Sequence, residues 1–368
     1  MKQLSFRVIN IIISVLFVFS CFPIVAYAEN SENETVSEQE SLSFPYAMGG
    51  LPIDEAEIEK HLNNPTGEKS SLPSSIDLSY RFPVPGNQGS QNSCSGWAVA
   101  YACMSGAETK KRNWTPNSTS HAFSPSYIYN QINGGANVAT NLEDALNLLK
   151  SEGVCTLTYW LYSESGFAAQ PNSIQSANAS LYRIKRYYSV SGRTNIKREI
   201  YKGNGVIIWI NVYPELRELN SADSMYDDFS GNSLGGHYIC LIGYNDSKKA
   251  FKFINSWGTN WGENGYGWIE YSSLDKYKVT GFIGAPKGYC IESQTEDHYV
   301  LGDVVGSEKK VTADDARQIL RFASRLDAMT PDDFVISDVD GNGSVTAEDA
   351  QYVLKYASKQ IAKLPLYN

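Results

Sequence analysis

The hydrophobic period of this chain changes once. In the first half the apolar pattern is helical: Leu142, Ala145, Leu146 and Leu149 share one face of a helix over 141–150, and further helices are expected at 94–107, 126–131 and 195–201. After about residue 205 it becomes the pattern of strands. Val206–Val212, Ile239–Tyr244, Phe251–Ile254 and Trp268–Tyr271 are short, β-branched and aromatic runs. A helical half followed by a β half predicts an α+β body of two parts with a cleft between them.

The stretch Asn87-Gln88-Gly89-Ser90-Gln91-Asn92-Ser93-Cys94 is a polar turn that runs into the apolar, helical Trp97, Ala98, Tyr101, Ala102 and Met104. Cys94 therefore falls at a helix N-terminus, where free N–H groups and the helix dipole favour a thiolate. The competing reading is a small buried thiol. Downstream, His237 stands at the mouth of an apolar strand behind Gly235 and Gly236. Asn255 opens the run Asn255-Ser256-Trp257-Gly258, followed by Trp261-Gly262 and Gly265-Tyr266-Gly267.

Cysteine, then histidine, then asparagine is the order of the papain-like cysteine peptidases, which residues 72–291 resemble. The resemblance implies a papain-like α+β fold, a helical half and a β-barrel-like half with a cleft between, and thiol hydrolysis of peptide bonds. It makes Cys94 the nucleophile, His237 the proton acceptor and Asn255 its orienter. Gln88, six residues before Cys94, would share the oxyanion hole, and Trp257 would shield the His237–Asn255 bond. Gly134 and Gly135 would pair with substrate backbone on the cleft wall, unless they form an ordinary turn. Trp261 would line the leaving-group side, unless it is core. Gln91 and Asn92 stand where the family usually has Cys-Gly, so its disulfide beside the nucleophile is absent. Cys103, Cys155, Cys240 and Cys290 allow two disulfides in three pairings, or buried thiols. Neither His61 nor His121 is expected to be catalytic; His121 is expected to be exposed.

Residues 1–28 read as a secretory signal: Lys2 and Arg7, an apolar run from Val8 to Phe22, then Ala26-Tyr27-Ala28. After its cleavage no membrane span is expected, and the protein would be extracellular. Residues 29–71 carry ten carboxylates against Lys60 and Lys69, in a chain of net charge −9. This acidic leader is expected to be largely solvated, with one helical hint over 54–62. It is read as an inhibitory prosegment or a plain linker. No nucleic-acid partner is expected.

After a linker (292–298), residues 299–368 contain a repeated unit. Asp338-Val339-Asp340-Gly341-Asn342-Gly343-Ser344-Val345-Thr346-Ala347-Glu348-Asp349 fits the calcium-loop pattern, with ligands expected from Asp338, Asp340, Asn342, Ser344, Thr346 and Asp349. Val311-Thr312-Ala313-Asp314-Asp315-Ala316 echoes its end. The duplication resembles a dockerin, a small all-α module, which implies structural Ca²⁺ and a cohesin module of a scaffold protein as partner. The first loop is one residue longer and has Val305 at the third position, so it is expected to bind weakly or not at all. The whole reads as a secreted cysteine endopeptidase carried on a cellulosome-like scaffold. The alternatives are an impaired papain-like binding or inhibitor module, and an amidase or transpeptidase of cell-wall peptides.

Overall fold

The computed structural model describes residues 46–64, 71–116, 118–294, 300–306 and 309–367. The expected signal segment, residues 29–45 and 65–70 of the leader and residues 295–298 of the linker lie outside these residues.

The central helix runs over 94–112, further than expected. Its first part is buried all round, from Trp97 and Val99 to Cys103 and Met104, as a helix inside a core must be. Trp97–Met104 is wound wider than an α-helix, in π geometry, a form often found at functional sites. Helices Pro125–Ile132 and Leu142–Ser151 complete this half.

The other half is a sheet of eight strands: β1 (Ser75–Asp77), β2 (Ile184–Ser191), β3 (Val206–Val212), β4 (Met225–Tyr226), β5 (Gly235–Asn245), β6 (Ala250–Ile254), β7 (Tyr266–Glu270) and β8 (Lys287–Ser293). Their order is β2-β8-β3-β5-β6-β7-β4, with β1 added to β5. The long β5 is the hub. Val206–Val212 of β3 pair antiparallel along it, placing Ile210 opposite His237. Strands β2 and β8 were not expected. Arg186 and Lys185 face solvent on β2 and pair with Glu292 of β8, so neither strand shows a clean apolar alternation. Because β8 reaches Ser293, the sheet extends past the expected boundary at 291.

The described part of the leader is docked on the body, although about half of its residues remain exposed. Asp54 caps the helix Glu55–Lys60, Ile58 is buried, and Lys287 pairs with Glu55 and Glu59 at 2.6 Å each. Residues 61–64 then lie along β2: Ser189 N donates to His61 O and Asn63 N to Ser189 O, both at 2.8 Å. Here acidic residues read as a solvated face instead find a basic partner on β8.

At the other end, helices Ala313–Ala323 and Ala347–Ala357 pack on each other around Ile319, Val339 and Val353. Each begins with the same capping box, Thr312 with Asp315 and Thr346 with Asp349. A third helix, Pro331–Ser337, sets Val335 and Ile336 against Ala177 of the helix Ser173–Ser180. His121, expected to be exposed, is buried there. It stacks on Trp114 at 4.4 Å, and its ring nitrogens lie 2.8 Å from Thr115 O and 3.3 Å from Leu366 O.

All five described cysteines are buried free thiols. The disulfide reading therefore fails, and the buried-thiol reading applies to Cys103, Cys155, Cys240 and Cys290.

Candidate active site

Cys94 opens the central helix, as its sequence context requires, and it is fully buried. The start of this helix packs against β5, and the backbone N–H groups of Tyr238, Ser95 and Cys94 itself favour the thiolate, against the larger effect of burial. Asn255 follows the end of β6, the neighbour of β5 in the sheet. Residues 143 and 161 positions downstream of the cysteine thus arrive on adjacent strands.

His237 Nε2 and Asn255 Oδ1 are 2.8 Å apart. Asn255 Oδ1 also accepts the Ser256 backbone N–H at 2.8 Å, so this atom is an acceptor and His237 Nε2 must donate. In the neutral ring Nδ1 is then the base. It is buried with no hydrogen-bond partner among the described residues, the Cys94 sulfur included. Trp257 stacks on the imidazole at 4.8 Å and covers it.

Gln88 is braced on all sides. Its Oε1 accepts Ser256 Oγ at 2.6 Å and its N–H donates to Ser256 O at 2.8 Å. The carboxamide nitrogen is thereby turned outward, toward Gln91 O at 2.8 Å and Met48 O at 3.1 Å. Sequence reasoning missed Ser256, although it lies between two residues that were singled out.

The Met48 contact shows what fills the cleft. Ala47 N donates to Gly89 O, Gly49 N and Gly50 N to Gly236 O, and Leu51 N to Thr140 O, all within 3.2 Å. Thr140 N returns a bond to Gly49 O. Trp209 Nε1 donates to Gly50 O at 3.0 Å, and Trp257 Nε1 to Ala47 O at 2.8 Å. Tyr46 stacks on the outer face of Trp257 at 5.1 Å. Gly236 has no alternative here: an added Cβ would lie 2.2 Å from Gly50 O.

This covering sets the protonation of the site. Burial pushes the Cys94 thiol up to about 12 and the His237 imidazole down to about 4, against the raising effect of its Asn255 bond. Burial thus disfavours the charged form of each group in the covered site.

Two subsite candidates lie outside the leader's backbone hydrogen bonds. Gly134 and Gly135 are exposed in an open turn with positive φ; the wall that bonds the leader backbone is Thr140. Trp261 is core: it is 1% exposed, donates to Leu216 O at 2.8 Å, and lies edge-on beneath Trp257 at 5.4 Å.

In the C-terminal loop, carboxylate oxygens of Asp338, Asp340 and Asp349 lie within 4.8 Å of one another. Asp338 and Asp349 are buried, and none of the three has an ion-pair partner among the described residues. Burial raises the carboxyls of both, that of Asp338 to about 7. Three clustered carboxylates without a cation of their own fit a hard, oxygen-seeking ion. Asn342 and Ser344 lie in the same loop, where Asn342 Oδ1 accepts Ser344 N at 2.9 Å. The Thr346 hydroxyl is committed instead to capping the last helix.

The sequence profile described as papain family cysteine protease matches residues 72–283, and the chain belongs to that family. It is 25% identical over 197 residues to a peptidase C1-like protein of Acanthamoeba polyphaga mimivirus, covering 49% of this chain and 62% of that one. It is 25% identical over 254 residues to ananain of Ananas comosus, covering 65% and 66%. The chain thus spans less than two thirds of the mimivirus protein. Among solved structures, xylellain, a cysteine protease from Xylella fastidiosa, has the same fold, with a TM-score of 0.57 at 22% identity over 67% of this chain and 96% of that one.

Proposed function

We propose that this chain is an exported cysteine endopeptidase held inactive by its own leader. The observation that carries the reading is the pair of contacts at the reacting centre: His237 tied to Asn255 with its other nitrogen free, and the Gln88 carboxamide donating to a peptide carbonyl, that of Met48. Met48 O occupies the place where a scissile carbonyl oxygen would develop charge.

Once the leader leaves, the thiol proton passes to His237 Nδ1 and the sulfur attacks the substrate carbonyl carbon. Negative charge collects on the carbonyl oxygen, facing Gln88 Nε2 and the Cys94 backbone N–H. The imidazolium gives its proton to the departing amine as the C–N bond breaks, leaving a thioester. Water, deprotonated by the same nitrogen, then attacks the thioester and restores the thiol. Asn255 keeps the ring aimed through both transfers.

The C-terminal unit is read as a dockerin that binds Ca²⁺ in its second loop, through Asp338, Asp340 and Asp349 with Asn342 and Ser344 beside them. The ion would neutralise the carboxylate cluster. Leu320, Leu326 and Leu354 are 46%, 67% and 49% exposed at or just beyond its paired helices, an apolar face suited to a cohesin. In the first loop Val305 offers no ligand. Among the described residues no helix is long and apolar enough to cross a membrane, in keeping with export in soluble form.

Leader-freed enzyme should cleave peptides and take up an epoxide thiol probe, and Cys94→Ala should do neither. Probe uptake without cleavage on any peptide would favour the binding-module reading. Cleavage restricted to muropeptides would favour the cell-wall amidase.

A further inference from the structure

One short segment touches both ends of the molecule's chemistry. At its near end Tyr162 OH donates to Gln88 O at 2.7 Å and lies 3.1 Å from Ser93 Oγ. Gln91 Nε2 donates to Ser163 O and Glu164 O at 3.2 and 2.8 Å, and the Glu164 carboxylate accepts Ser90 N at 2.6 Å. Gly89 is pressed so closely on Glu164 that an added Cβ would lie 2.3 Å from its carboxylate. The loop that carries the oxyanion donor and leads into Cys94 thus rests on residues 162–164.

At its far end Tyr159 OH donates to Asp338 Oδ2 at 2.6 Å. Its ring packs edge-on against Phe334 at 6.3 Å and joins the apolar cluster of Val335, Ile336 and Ala177. Gly343 of the acidic loop lies over Thr158, where an added Cβ would be 3.0 Å from its methyl. Two residues separate the far anchor from the near one.

We propose that residues 158–164 form a strap through which the C-terminal unit positions the catalytic loop, with Tyr159 and Tyr162 as its two positioning residues. The loop has no disulfide to hold it, since Gln91 and Asn92 precede Cys94 without a cysteine. The strap supplies that restraint by hydrogen bonds and passes it to Asp338. A cation drawn to Asp338 fixes the carboxylate to which Tyr159 is tied, and so stiffens the oxyanion donor Gln88, whose position in the chain is 250 residues before Asp338. The calcium arm of this inference rests on the cation reading of the loop given above.

The test uses the full chain and its leader-freed form. Calcium titration of the wild type is followed by amide exchange, and kcat and KM are measured with calcium and with chelator. Calcium should slow exchange at Gln88–Ser93 and at 158–164 by roughly fivefold, the scale of one hydrogen bond, and raise kcat with KM unchanged. In Tyr159→Phe the exchange protection and the kcat response to calcium should both vanish while calcium still binds. Tyr162→Phe, which cuts the strap at its near end, should lose the same response and serves if Tyr159→Phe does not fold. Calcium binding with no change at 88–93, or an equal response in both variants, overturns the strap and leaves the cation site standing. No calcium binding at all overturns the cation reading and the calcium arm with it; the strap then fails if Tyr159→Phe leaves exchange at 88–93 unchanged.

Discussion

In Gly49→Ala the new methyl group would lie 2.3 Å from Asn92 O and 2.6 Å from Asn92 Cβ, at a φ of +114°. Neither the space nor the backbone angle suits a side chain, and an unsuitable backbone alone costs on the order of 1–3 kcal/mol. The leader must lift here. Lifting weakens the bonds of Gly49 and Gly50 to Gly236 and the two between this stretch and Thr140, each worth about 1 kcal/mol. Strain plus half of these bonds comes to roughly 3–5 kcal/mol, or about a hundredfold to a few thousandfold more uncovered enzyme, since about 1.4 kcal/mol is tenfold. The substitution changes no residue of the enzyme body, although its methyl presses on Asn92 in the loop before Cys94. The assay is the rate at which an epoxide thiol probe labels Cys94 in the intact chain, with Cys94→Ala as blank. Labelling as slow as in the wild type would refute the claim that Met48–Leu51 close the site.

The same covering predicts a pH dependence. His237 falls from its ordinary 6.5 to about 4 when covered, so the uncovered site binds a proton that the covered site does not. The covered form is therefore fully favoured above pH 6.5 and loses ground as pH falls from 6.5 toward 4; probe labelling of the intact chain, measured after return to neutral pH, should rise across that window. Within the freed enzyme, Gln88→Ala should lower kcat by about 10²–10³, and Ser256→Ala, which removes only the brace on its Oε1, by about tenfold, with KM little changed in steady-state assays. For the tail, Asp338→Ala or chelator should abolish cohesin capture in a pull-down with a cohesin module.

The nucleophile and its partners were legible in the sequence because their local signals are strong. A polar turn ending in Cys94 before an apolar helix, glycines before His237, and Asn255-Ser256-Trp257 each specify their local backbone. Strand runs with β-branched residues were read close to their observed limits, as Val206–Val212 shows. Strand β2, with Lys185 and Arg186, escaped because its charges are answered by Glu292 about a hundred residues away. The docking of the leader was hidden for the same reason: nothing near Glu55 and Glu59 in the chain points to Lys287, which pairs with both. Gly134 and Gly135, a glycine pair that matches a motif, form an exposed turn, while Thr140 bonds the leader backbone in the cleft.

The sequence by itself therefore determined which side chains could do thiol chemistry, the change from helix to sheet, and the oxygen-rich loop near the end of the chain. Those properties depend on neighbours within a few residues. Only the tertiary structure decided that Met48 O meets the Gln88 carboxamide, that Ser256 braces Gln88, and that Tyr159 bonds Asp338. Each of those is a hydrogen bond between residues 40 or more positions apart, and such pairings are set by how the elements pack, which no local pattern encodes.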